Sequence, residues 1–208
     1  MSKRTPPITA KELAASLAKD PAHRARREER EKVRIAALAK YRHDIAPVVK
    51  ALHDVGIAVD DVRASQLQAL HAYPKALPVL LDHIEKPYPH KVLWVIANSL
   101  AVPEARSAWP LLVAAYKRAE SPAPGSPGDG MGLKDGLANA LAATVTSETI
   151  DTLIGLAKDP SHGSSRLLLL RGLRRSRAPQ AKRAIEELAW DPQLAVEIAS
   201  WRRKGPSH

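Results

Sequence analysis

The chain has 208 residues, 45% of them hydrophobic, and carries 32 Lys and Arg against 22 Asp and Glu. This composition suits one domain, or one domain with an arm, and excludes a wholly disordered chain. Cysteine is absent, which excludes disulfides, thiolate metal sites and a cysteine nucleophile. Because no apolar run reaches the roughly 18 residues of a membrane span, and no apolar signal-peptide core follows the N-terminus, we expect a cytoplasmic protein that does not enter a membrane.

Residues 1–50 are predicted to form a basic helical arm. The excess of Lys and Arg is concentrated in this range and in residues 161–208. Residues 23–34 are almost wholly charged with mixed signs, so ion pairs four residues apart can support a helix. Two interpretations remain open: a solvated helix, or a basic surface that lies on nucleic acid or on an acidic protein.

The breakers within this half of the chain predict the helix boundaries. A capping box at Thr9 predicts a short helix that ends before Pro21. A longer helix is predicted from about Ala22, with an interruption or kink at Pro47. Gly56 then ends that segment, and the Asp60-Asp61 pair is predicted to begin the next helix.

Residues 51–208 are predicted to be a domain of internal repeats. A shift of 32 residues superimposes the Asp-Pro pair at 159–160 on the pair at 191–192, and it also aligns Leu137 with Leu169. Upstream, a shift of 41 residues aligns Ala97 with Ala138. The nine additional residues fit the segment at 121–130, whose Pro and Gly content predicts a loop.

Each repeat is predicted to contain two amphipathic helices. The first helices are predicted at 75–86, 104–119, 147–158 and 179–190, and the second helices at 88–101, 131–144, 162–176 and 193–203. Neither helix of a pair can bury its apolar stripe alone, so successive pairs must stack on one another.

These units resemble HEAT-type repeats over about residues 73–204. Residues 77–84, Leu-Pro-Val-Leu-Leu-Asp-His-Ile, resemble a first helix, and residues 92–101, Val-Leu-Trp-Val-Ile-Ala-Asn-Ser-Leu-Ala, resemble its second. The resemblance implies an all-α fold, a short α-solenoid of helical hairpins, in which the second helices line the concave face.

One position repeats as a polar residue within otherwise apolar second helices. The two shifts make Asn98, Asn139, Arg171 and Arg203 equivalent. Stacked repeats would align these side chains as a ladder. The ladder either satisfies neighbouring polar groups between helices, as buried amides do, or forms a ridge that faces a ligand.

A cluster of arginines surrounds the third position of this ladder. It consists of Arg166, Arg171, Arg174, Arg175 and Arg177. Arg171, Arg174 and Arg175 are spaced three and four residues apart and share one helix face. The cluster is either a solvated face or a patch that binds carboxylates or phosphates.

The sequence contains no recognisable catalytic or cofactor motif. The histidines follow no metal-ligand spacing, and the Gly-rich residues 128–134 lack the ending of a phosphate loop. We therefore predict a non-catalytic module without cofactor or metal that binds a protein partner with an acidic surface.

Nucleic-acid binding through the arm and the arginines is the alternative. Some alkylpurine DNA glycosylases consist of HEAT-like repeats with a cationic concave face, and this chain is similar to them in size and charge. No position here corresponds to their acidic and aromatic catalytic residues.

Overall fold

A computed structural model describes residue 9 and residues 20–120 and 132–203, with the helix backbone alone at 202 and 203. Every regular element within these ranges is helical, which confirms the all-α prediction. The predicted short helix that follows Thr9 and the predicted loop at 121–130 lie outside the described residues.

The described residues form ten α-helices and two short 3₁₀ helices. The α-helices are α1 (Pro21–Asp54), α2 (Ala64–Ala69), α3 (Tyr73–Ile84), α4 (His90–Ser99), α5 (Trp109–Arg118), α6 (Leu133–Thr144), α7 (Ile150–Lys158), α8 (Arg166–Arg175), α9 (Pro179–Leu188) and α10 (Ala195–Arg203). The 3₁₀ helices, Pro103–Ala108 and Pro160–Ser165, directly precede α5 and α8.

The chain divides into two compact units, residues 1–43 and residues 44–208, whereas the sequence predicted a boundary after residue 50. In the first unit, residues 21–40 of α1 are exposed except for the half-buried His23. This stretch buries almost no apolar surface, so hydrogen bonds between residues close in sequence hold it as a helix. The Arg34 guanidinium donates two side-chain hydrogen bonds to the Glu31 carboxylate, at 2.6 and 2.8 Å.

Pro47 does not interrupt the helix, because α1 continues through it to Asp54. A proline inside a helix removes one backbone hydrogen bond. Here the turns around it bury Ile45, Val48 and Leu52 in the core, and this packing outweighs the lost bond. The helix ends as predicted, before Gly56, whose φ of +81° is a conformation that glycine adopts without strain.

The eight helices predicted for the four repeats are all present in the second unit, at boundaries shifted by a few residues. As predicted for the two helices of one repeat, α3 packs on α4, α5 on α6 and α7 on α8, and α9 and α10 complete the set. The largest shifts are at the starts of α5 and α8, where a 3₁₀ helix occupies the predicted first turn. In the second case Gly163, at φ +60°, separates the 3₁₀ turn from α8.

The predicted second helices pack on each other in chain order, α4 on α6 and α6 on α8. The first step is unusually close at Gly136 of α6. A Cβ built on Gly136 would lie 2.7 Å from the Cβ of Ala97 and 2.9 Å from the carbonyl oxygen of Trp94. Only a residue without a side chain allows α4 and α6 to approach this closely.

The core of the second unit is mainly aliphatic, as the absence of Phe requires. Leu and Ile side chains from every pair are buried, and Tyr73, Trp109 and Tyr116 are the aromatic side chains of this core. The prediction that Trp109 is a core residue is therefore confirmed. Some large apolar side chains of this unit stay exposed, chiefly Leu70, Leu111, Trp190 and Val196.

Candidate functional site

The first two positions of the predicted ladder are in contact. The Nδ2 atom of Asn139 donates a hydrogen bond of 3.1 Å to the Oδ1 atom of Asn98, across the packed helices α4 and α6. Both side chains are half-buried. The equivalence predicted from the 41-residue shift is thus a real contact, and each amide orients the other.

The other two ladder positions are not joined to this pair by any hydrogen bond among the described residues. Arg171 lies on α8, the next helix in the packing order, and is exposed. Arg203 is the last residue of α10, and its side chain lies outside the described residues.

Arg166 is not part of the exposed arginine cluster, so its assignment as a binding residue is wrong. Its side chain is only 1% exposed. Residues five positions apart on a helix are separated by about 140° around the axis. Arg166, the first residue of α8, therefore faces away from Arg171 and into the protein.

Four of the five N–H donors of the buried Arg166 guanidinium have internal partners. Nη1 donates to the Asp191 carboxylate at 2.6 Å and to the Ala157 carbonyl at 3.2 Å. Nη2 donates to Gln193 Oε1 at 2.8 Å, and Nε to the Gly163 carbonyl at 3.2 Å. The hydrogen bond from Arg166 holds the pKa of the Asp191 carboxyl below its usual value. Arg166 is a structural cation that joins α8 to the segment before α10.

The remaining arginines of the cluster reach the surface. Arg174 places its guanidinium 4.9 Å from the centre of the Trp201 ring, a cation–π distance. Arg175 donates from Nη2 to the carbonyl oxygen of Ala142 on α6. Within the part of the chain that the structure describes, no carboxylate lies within 4 Å of the guanidinium groups of Arg171, Arg174 or Arg175.

A cavity of about 490 Å³ lies beside this cluster. Three arginines line it: Arg106 from the 3₁₀ helix before α5, and Arg175 and Arg177 from the end of α8 and the turn that follows. We call it the arginine cavity. The other lining residues are Ala142, Ala143, Val145, Thr146, Ser147, Gly172, Ser176 and Ala178.

The sequence did not predict that Arg106 belongs to this group. Arg106 lies in a short connection far from residue 175 along the chain, and neither repeat shift aligns it with another arginine. Only the packing of α6 on α8, which brings the two connections together, places these residues at one cavity.

A second polar cluster is internal. The Tyr116 hydroxyl lies 2.7 Å from Ser165 Oγ. The centre of the Tyr116 ring lies 4.7 Å from the centre of the His162 ring and 5.4 Å from Lys134 Nζ. Burial raises the pKa of Tyr116 to about 12 and lowers the pKa values of His162 and Lys134. Burial thus favours the neutral form of each group, and the Tyr116 hydroxyl is hydrogen-bonded to Ser165.

The described residues contain no group of three or more His, Asp or Glu side chains arranged to hold a metal ion. Within the same ranges, no helix has both the length and the apolar character needed to traverse a bilayer. Comparison of the chain with protein-family models, with curated proteins and with solved structures gave no match.

Proposed function

We propose that this chain is a non-catalytic binding module, a short α-solenoid of HEAT-like helical hairpins that holds an acidic surface of a protein partner. The partner would lie against the side formed by the second helices α4, α6 and α8. The observation that carries this proposal is the pair Arg171 and Arg174, which reach solvent from α8 with no carboxylate within 4 Å among the described residues.

The packing order supports the repeat architecture. Helices α4, α6 and α8 follow one another in space as their repeats follow one another in sequence. Among the first helices, α7 contacts α9. The hydrogen bond between Asn98 and Asn139 joins equivalent positions of neighbouring repeats. A single row of equivalent positions then runs from these amides toward Arg171.

The chemistry of this row favours an acidic protein. A guanidinium group binds a carboxylate through two parallel hydrogen bonds, and arginine is enriched at protein interfaces. Arg174 is held over the Trp201 ring, so less side-chain freedom is lost when it binds. The half-buried amides of Asn98 and Asn139 can add neutral hydrogen bonds at lower desolvation cost than further charges.

The test compares two charge-reversed variants. Arg171→Glu with Arg174→Glu alters the proposed surface, whereas Lys75→Glu with Arg183→Glu makes the same charge change on the exposed sides of the first helices α3 and α9. Each variant and the unaltered protein are immobilised, and proteins captured from a lysate of the source cell are quantified by mass spectrometry.

We expect the first variant to lose a set of acidic partners that the control retains. Equal recovery of the same proteins by both variants would contradict the proposed surface. Circular dichroism and urea unfolding of both variants check that the fold is unchanged.

The exposed basic residues of α1 favour nucleic-acid binding as the second candidate function. Phosphate neutralisation makes such binding fall steeply with salt. Titration of duplex and single-stranded oligonucleotides at about 50 and 200 mM salt tests it. Salt-sensitive binding that Arg171→Glu with Arg174→Glu weakens would assign the surface to nucleic acid, and absence of binding at low salt would remove this candidate. Release of a modified base would be needed, in addition, for a glycosylase.

A further inference from the structure

The charged residues that line the arginine cavity all have the same sign. Its three charged lining residues, Arg106, Arg175 and Arg177, are all cations, and no Asp or Glu lines it. Three hydroxyl side chains, those of Thr146, Ser147 and Ser176, complete the polar lining. A concave site with convergent cations and hydroxyl groups, and without counter-charge, is complementary to an anion.

One of the three arginines that line the cavity is held by the protein. Arg175 donates from Nη2 to the Ala142 carbonyl, which covers one carbonyl at the end of α6 and anchors the guanidinium. Close packing reinforces this contact, because a Cβ on Gly172 would lie 3.0 Å from the Cα of Ala142. A guanidinium group has five N–H donors, so the anchored Arg175 keeps most of them for a ligand.

The other two arginines are not engaged by the protein. Arg106 and Arg177 are exposed, and no hydrogen bond or ion pair holds their guanidinium groups within the described ranges. The cavity thus combines one fixed cation with two that can close on a bound group. Substitution of Arg106 and Arg177 should therefore leave the fold intact.

We propose that the arginine cavity binds a phosphate monoester dianion. Such a group carries about 1.5 to 2 negative charges at neutral pH and three strong acceptor oxygens, which match three guanidinium forks. A volume of about 490 Å³ accommodates the phosphate and part of the molecule that bears it. A phosphodiester backbone, in contrast, has one charge per phosphate and is followed by cations spread along a groove. This site is distinct from the proposed protein-binding surface, because it uses neither Arg171 nor Arg174.

The experiment is a calorimetric titration of the full chain with phenyl phosphate, with phenyl sulfate and dimethyl phosphate as monoanionic controls. Arg106→Gln with Arg177→Gln removes the two free cations, and Lys75→Gln with Arg183→Gln removes the same charge elsewhere. We expect the first pair of substitutions to weaken phenyl phosphate binding at least about tenfold, since charge-assisted hydrogen bonds are strong. The control pair should change it less than about twofold.

The pH dependence distinguishes a dianion from any anion. The second pKa of a phosphate monoester is about 6, whereas arginine stays charged, so binding should weaken as the pH falls from about 7.5 to 5. Phenyl sulfate does not titrate in this range. The proposal is overturned if phenyl phosphate does not bind at low salt, if it binds no better than phenyl sulfate, or if both variant pairs weaken it equally.

A final comparison identifies the source of the phosphate. A phosphoserine peptide is titrated beside its unphosphorylated form. Tighter binding of the phosphopeptide than of phenyl phosphate would assign the cavity to phosphorylated protein segments, and equal binding would assign it to small free phosphate esters. Binding of duplex DNA that is lost in Arg106→Gln with Arg177→Gln, without binding of phenyl phosphate, would contradict the proposal.

Discussion

Two stretches of this chain are similarly rich in arginine, residues 23–34 of α1 and residues 166–177 around α8, but their arginines have different surroundings. In the first stretch every residue beyond His23 is exposed, and the Arg34 guanidinium pairs with Glu31, three residues away. In the second, Arg166 pairs with Asp191 and Arg175 bonds to Ala142, partners 25 and 33 residues away.

This comparison shows that the density of charged residues in the sequence does not distinguish an arginine bonded within the protein from one that is available to a ligand. Local acidic partners make residues 23–34 a helix that carries much of its own counter-charge. In the packed helices, partners distant in sequence bury Arg166 and hold Arg175. Arg106, Arg171 and Arg177 have no counter-charge within 4 Å among the described residues. The following predictions test this contrast.

The largest effect is expected from Arg166→Ala. The substitution removes a side chain that is 1% exposed and leaves the Asp191 carboxylate and two carbonyl groups without their donor. Breaking a buried pair in this way costs about 3–5 kcal/mol of the free energy of unfolding. Urea unfolding followed by tryptophan fluorescence measures it, since all four tryptophans lie in the second unit.

Arg171→Ala on the same helix is the matched control. Because Arg171 is exposed and has no partner within the described residues, its loss should change the free energy of unfolding by less than about 0.5 kcal/mol. Equal destabilisation by the two substitutions would remove the distinction between structural and available arginines.

An intermediate effect is expected from Gly136→Ala, which tests the close packing of α6 on α4. The added Cβ would meet Ala97 and the Trp94 carbonyl at 2.7 and 2.9 Å, and the backbone cannot yield cheaply. Overpacking costs about 1–3 kcal/mol, which the higher helix propensity of alanine offsets by up to about 1 kcal/mol. We therefore expect a net loss of about 1–2 kcal/mol.

Gly155→Ala in α7 is expected to have the opposite effect, an increase in the free energy of unfolding. No heavy atom lies within 4 Å of its added Cβ, so only the propensity gain of about 0.5–1 kcal/mol remains. Thermal unfolding should rank this variant above the unaltered chain and Gly136→Ala below it. Stabilisation by both substitutions would show that α4 and α6 are not tightly packed.

The smallest effect is expected from Glu31→Gln, which removes the partner of Arg34. The hydrogen bond from Arg34 lowers the pKa of the Glu31 carboxyl, but both side chains are mostly in water. Such exposed ion pairs contribute little to stability. The urea midpoint of the tryptophan-reported transition should be unchanged at about 50 mM and 500 mM salt. A clear salt-dependent decrease in the midpoint would mean that residues 23–34 are more than a solvated helix.

Much of the fold was predictable because helix formation depends mainly on residues that are close in sequence. Apolar spacing of three and four residues located the eight helices of the four repeats, and prolines and glycines located most of their ends. Pro47 does not interrupt α1, since its local preference is outweighed by the burial of Ile45 and Val48 in the same helix. Burial depends on neighbours that no window around Pro47 contains.

The site was predictable only in part. The repeat shift correctly brought Asn98 to Asn139, because equivalent positions of stacked repeats are neighbours in space. It could not assign Arg166, whose role depends on the position of Asp191 in a later turn, nor find Arg106, which has no equivalent in the other repeats.

The sequence by itself determined an all-helical chain, the order of its helical pairs and the basic character of both ends, because these depend on residue types and on spacings within a few turns. Tertiary structure alone decided which arginines are buried and which line one cavity. Those outcomes depend on contacts such as that of Arg166 with Asp191 and that of Arg175 with Ala142, between residues 25 and 33 positions apart, which form only when the helices and their connections pack.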